Sequence, residues 1–168
     1  MTTHEPSELD KKTLLKIFRA LSDYIAEGGK QTSINKIARE TLFFVYEGGN
    51  SGKYDRDPKS KEANQLSLKT VKEKAKYLRY DHAIPLKCWL YPLVQKCKKL
   101  QCEQILEEIE LHDHIRIITK DENEKLNEKG FREKMPPGWD EDKPKNISRK
   151  DWIKKWIDER YQAAGIEF

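Results

Sequence analysis

The sequence predicts a predominantly helical α+β chain: an N-terminal helical hairpin, a small two-stranded core carrying a short helix, and a C-terminal helix. Three observations predict it. Apolar residues recur at helical spacing early in the chain, first Leu14, Ile17, Phe18, Leu21 and Ile25, then Ile34, Ile37, Ala38, Leu42 and Val45. Two short β-like runs, YLRYDH and HIRIIT, interrupt the helical pattern. A closing stretch after Ser148 places Trp152, Ile153, Trp156 and Ile157 on one stripe.

Local signals delimit the elements. Ser7 can cap the first helix, and Gly28 and Gly29 end it; Ser33 is the expected cap of the second. The pair resembles the opening of a helix-turn-helix, but no third helix follows at the usual distance, so a plain helical hairpin is the better reading. A Gly-, Lys- and Asp-rich loop spans 48–64. Its GGNSGK string is not a phosphate-binding loop, because Lys53 is followed by Tyr54 and no β-branched strand precedes it. Ser67 is the expected cap of a third helix carrying Leu68, Val71, Ala75 and Leu78. Pro85 and Pro92 bracket LKCWLY and predict a turn there. An apolar helix is expected over roughly Leu93 to Leu111, with a break near Gln101. After HIRIIT, Thr119 and Glu122 have capping-box spacing and Gly130 can close the helix; Ser148 and Gly165 bound the last one. This gives two parts, a helical 1–66 and a second domain over 67–168.

Composition narrows the function classes. Charged residues make up 37% and hydrophobics 36% of 168 residues, yet four Trp, seven Tyr and five Phe supply a core and argue against global disorder. No apolar run approaches membrane-span length, and MTTHEPSELDKK lacks the apolar centre of a signal peptide. Cys88, Cys97 and Cys102 have no metal-site spacing and read as reduced thiols of a cytoplasmic protein. Residues 69–100 carry nine basic and two acidic side chains, whereas 101–168 carry 13 basic and 17 acidic. A basic field of this kind attracts phosphates. The competing reading is a solvated lysine-rich helix face.

The basic stretch contains the string with the most chemistry, YLRYDHAIPLK. A β-run ending in Asp-His with a following proline, then a second strand turning into a short helix that offers a polar side chain, resembles the ββα-metal core of HNH (His-Me finger) nucleases. DHAIPL matches that family's DHxxPL pattern, and ITKDENEKL matches the end of its motif, with Asn123 where His is commoner. The resemblance covers residues 77–130. It implies a ββα-metal-like core and a metal-dependent endonuclease of a phage, mobile element or restriction system. His82 would be the general base, and Asp81 and Asn123 would hold Mg²⁺ or another divalent ion such as Mn²⁺. The chain departs from the pattern in lacking a central Asn between the strands and the paired CxxC zinc sites.

The chemistry is coherent. An imidazole near its ordinary pKa can take a proton from water, and a divalent cation neutralises a scissile phosphate. Lys72, Lys76, Arg79 and Lys87 would supply sequence-independent affinity for nucleic acid, DNA by preference. The plainer readings are that Asp81 bonds its own turn, that Glu122 is only a cap, and that His112 and His114 mark a helix end around Asp113. The rival function is a non-enzymatic helical protein that binds nucleic acid or a protein through residues 69–100. The N-terminal helices also suit a homodimer contact.

Overall fold

The computed structural model describes residues 5–50, 52–56, 58–139 and 143–168. The parts of the N-terminal and 48–64 loop readings that fall on 1–4, Ser51 and Asp57 lie outside the described residues, as do residues 140–142. The architecture is α+β and mostly helical, with one two-stranded antiparallel sheet. The chain forms two compact units and passes between them three times. Among the described residues, one comprises Tyr54–Pro85 and Leu111–Phe168; the other comprises 5–53 and Leu86–Glu110. The division therefore does not fall at residue 66. No helix of the described residues is long and apolar enough to cross a membrane.

The helical unit is built from α1 (Glu8–Ala26), α2 (Gln31–Thr41), α5 (Leu86–Lys96) and most of α6 (Cys102–His112). Ser7 and Asp10 form a reciprocal capping box that satisfies orphan amides of α1. The second helix starts earlier than expected, at Gln31, without a side-chain cap, so Ser33 lies within its first turn. A π-helical turn, Leu42–Tyr46, extends it. Leu14, Phe18, Ile34, Ala38, Leu42, Leu90 and Val94 are buried, and α1, α2 and α5 pack on one another. The turn expected between Pro85 and Pro92 is instead helix, with Pro92 inside α5. The break near Gln101 is present between a 3₁₀ turn, Cys97–Lys99, and α6. All three cysteines are free, and burial pushes the Cys97 thiol up to about 11.

The mixed unit holds α3 (Lys61–Gln65), α4 (Val71–Tyr77), β1 (Leu78–His82), β2 (Ile115–Thr119), α7 (Lys120–Glu128) and α8 (Arg149–Gln162). Here the expected Ser67 cap is replaced by Thr70, whose box partner is Glu73. The two strands pair from Leu78 opposite Thr119 to His82 opposite Ile115. Their alternation separates two faces. Leu78 and Ile117, with Tyr80 and Ile115 beside them, pack against Ala63, Tyr54 and Leu68. Residues 58–60 add to the outer edge of β2: Ser60 N–H donates to the Ile117 carbonyl at 2.9 Å and Ile117 N–H to Pro58 at 3.1 Å. Thr119 caps α7 reciprocally with Glu122, whose buried carboxylate also accepts the Ser60 hydroxyl at 2.6 Å. Glu122 is a cap, as its spacing predicts. α7 follows β2 directly and packs on both strands.

Candidate functional site at the end of the first strand

Asp81 and His82 are the last two residues of β1, so the pleat sends their side chains to opposite faces. Asp81 is directed at α8. The Arg160 guanidinium meets it with Nη1 at 2.6 Å from Oδ2 and Nη2 at 3.4 Å from Oδ1, and the Tyr161 hydroxyl donates to Oδ2 at 2.6 Å. Arg160 is 1% exposed and the Asp81 side chain 15%. The remaining guanidinium hydrogens go to backbone oxygens: Phe131 at 3.0 and 3.2 Å, Ala83 at 3.3 Å and His82 at 3.4 Å. Burial is the largest single influence and works against the Arg160 charge, but the Asp81 charge, Tyr161 and the hydrogen bonds to both together outweigh it, and the pKa rises. Burial and then the Asp81 charge raise the Tyr161 phenol well above its usual value, which keeps it a donor.

This cluster bears directly on the metal expected at Asp81. Both carboxylate oxygens are committed to donors, and one of those donors is a buried cation. A divalent ion on Asp81 would face that guanidinium at close range, so the side chain does not fit a metal-ligand role. Asp81 instead anchors the end of β1 to α8. Asn123 is carried by α7. It is half-buried in the opening turns of α7, which starts where Thr119 pairs with Leu78. His82 ends the ladder four residue steps away, about 13 Å along the strand. A helix advances only about 6 Å in four residues. The pleat thus separates Asp81 from His82, and Asn123 is carried on a helix that starts at the opposite end of the ladder from His82.

His82 lies half-buried on the other face, its ring edge-on to Tyr80 with centroids 5.7 Å apart. It has an acidic neighbour that the sequence did not nominate. Asp113, in the turn between α6 and β2, offers a carboxylate oxygen within 4.8 Å of a His82 ring nitrogen. The strand pairing explains the proximity, because Ala83 N–H donates to the His114 carbonyl at 2.7 Å and draws residues 113 and 114 to the end of β1. An imidazole beside a carboxylate is an orientable proton acceptor. His112 is buried at the end of α6, as read from the sequence, and His114 is half-buried just beyond it.

The basic residues divide. Lys72 and Lys76 are exposed, one turn apart on α4, and Lys69 is exposed just before it. Lys74 is paired with Asp55. Glu73, the one acidic residue among 69–80, folds back to accept the amides of Thr70 and Lys69 at 2.9 and 3.0 Å. Those bonds, the Thr70 amide first, hold its carboxyl below the usual range. Arg79 is half-buried and donates to the carbonyls of Leu78 and Ala75, closing α4, so its first duty is a helix end. Lys87 is exposed but belongs to the helical unit, so the basic stretch 69–100 is shared between the two units.

Arg160 is the residue the sequence reading missed. A signal existed, since Ile153, Trp156, Ile157, Arg160 and Tyr161 fall at i, i+3, i+4, i+7 and i+8, which puts a cation on the buried stripe. No family model, curated protein or solved structure was found to match this chain.

Proposed function

We propose that this chain binds nucleic acid without chemistry at Asp81, using the basic surface around α4. The observation that carries the reading is the set Lys69, Lys72 and Lys76, three exposed ammonium groups on one short segment whose single carboxylate is turned into a helix cap. Exposed cations of this kind release counterions from a phosphate backbone, so binding should weaken steeply with salt and show little sequence preference. The test is binding of a labelled DNA duplex from low to moderate salt by wild type and by the double variant Lys69→Gln/Lys72→Gln. The variant should bind more weakly and lower the salt slope by about two. Equal affinity and slope in both proteins would refute the reading.

A second reading, the metal-dependent nuclease, is favoured by one observation: His82 and Asp113 stand together at the end of a strand–strand–helix unit. In it His82 takes the proton from the attacking water and Asp113 orients the imidazole, while the backbone bonds from Arg160 steady the strand end. The expected ligand Asp81 does not fit the Mg²⁺ or Mn²⁺ this reading requires, because Arg160 and Tyr161 hold both of its oxygens. Plasmid cleavage with Mg²⁺ or Mn²⁺, with and without chelator, decides between the readings. Chelator-sensitive cleavage that falls about 10²- to 10⁴-fold in His82→Ala favours the nuclease. Absent cleavage, with salt-sensitive binding, favours the binding protein.

A further inference from the structure

A cavity of about 480 Å³ opens between α3, the end of α4 and the start of α7, within the mixed unit. Its size is in the range that takes a small ligand or one unit of a polymer. Two of its walls are large apolar side chains left in solvent: Tyr77 is 44% exposed and Leu66 39%. The charged lining is balanced in number, with Lys76 and Lys120 alongside Asp121 and Glu62, the last also accepting from Lys125 at 3.3 Å. A net-neutral lining gives a phosphate no advantage, whereas an aromatic face beside an aliphatic one suits a flat, weakly polar ring. The unopposed cations, Lys69 and Lys72, lie next to the cavity along the chain rather than in its lining.

We propose that this cavity receives one unstacked base of single-stranded nucleic acid, whose backbone phosphates lie on Lys69 and Lys72. The proposal deepens the nucleic-acid reading and rests on it. Tyr77 is the stacking platform and Leu66 the opposing wall. Lys76, whose ammonium lies 4.9 Å from the centre of the Tyr77 ring, occupies one ring face in the free protein. An exposed cation–π contact is weak enough for a base to displace, freeing that ammonium for a phosphate. The carboxylates of Glu62 and Asp121 are acceptors, so they favour a base with an amino group on its edge, such as cytosine, over thymine.

The test is fluorescence anisotropy with labelled dC and dT 12-mers and a 12-base-pair duplex, in chelator, so that binding is read apart from any cleavage. The wild type should bind single strands more tightly than duplex, and dC more tightly than dT. Tyr77→Ala should weaken single-strand binding about 5- to 150-fold while duplex affinity stays within about two-fold, and Tyr77→Phe should retain it. Both residues are exposed, so the variants keep the fold, which circular dichroism verifies. If Tyr77→Ala and Leu66→Ala both leave single-strand affinity unchanged while Lys69→Gln/Lys72→Gln weakens it, the base site is overturned and the basic surface stands. If wild type binds no oligonucleotide at low salt, the nucleic-acid reading fails and the base site with it.

Discussion

The two faces of β1 put neighbouring residues to opposite uses. On one face Asp81 is held by Arg160 and Tyr161, with both carboxylate oxygens taken; on the other, His82, buried to a similar degree, stands near Tyr80 and Asp113. A single residue step separates a structural anion from a candidate proton acceptor. Two adjacent letters of a motif therefore need not serve one site, because a strand hands them to different environments. A carboxylate already balanced by a buried guanidinium contributes to holding the fold. An imidazole with a carboxylate nearby and partial access to water is a candidate proton acceptor.

The sharpest way to break this contrast is Arg160→Met. It leaves Asp81 facing an apolar wall with its charge uncompensated, and removing one partner of a buried ion pair costs about 3–5 kcal/mol. Urea unfolding at neutral pH measures it. The double variant Asp81→Asn/Arg160→Met should recover much of the loss, because neither charge is then stranded. If Arg160→Met unfolds no more easily than wild type, the Asp81 face is not the anchor described above. Tyr161→Phe is milder. It deletes the 2.6 Å bond to Asp81 and keeps the ring, which packs edge-on against Phe168 at 4.8 Å. Loss of a hydrogen bond to a charged group should cost about 1.5–3 kcal/mol in the same assay, and nucleic-acid affinity should not change.

What was legible in the sequence was whatever depends on near neighbours. Ser7, Thr119 with Glu122, and Ser148 cap the helices their spacing indicates, and Ile115, Ile117 and Ile118 lie in the second strand. Gly130 and Gly165 adopt the left-handed backbone that closes a helix, at φ of 77° and 67°. Thr70 was missed although TVKE has the capping-box pattern, because Ser67 competed three residues earlier. Pro92 was read as a boundary, yet α5 continues through it; Leu90, Leu93 and Val94 are buried around it, and that burial offsets the lost backbone bond. The site was less legible than the fold. Asp81 meets Arg160 across 79 residues of sequence and His82 meets Asp113 across a strand pairing, and no local spacing encodes either encounter.

The smallest effect belongs to His114, next to the candidate acceptor's carboxylate in sequence and two residues from buried His112. Burial holds the His114 pKa below its usual 6.5, and the positive charges of Arg116, His112 and Lys150 add to this against a bond with the Leu111 carbonyl at 3.1 Å. The folded chain thus binds a proton at this site less readily than the unfolded chain does. Its contribution to stability is complete above about pH 6.5 and declines as pH falls through and below that value. His114→Asn has no such proton to bind, so the fall in its melting temperature between pH 7 and pH 5 should be shallower than in wild type. Tyr161→Phe, by contrast, should lower the melting temperature by a similar amount at both values, since its phenol is protonated throughout this range. If the pH dependence of His114→Asn parallels that of wild type, the acid sensitivity of the strand end comes from its carboxylates, and the turn that carries Asp113 is insensitive to imidazole titration.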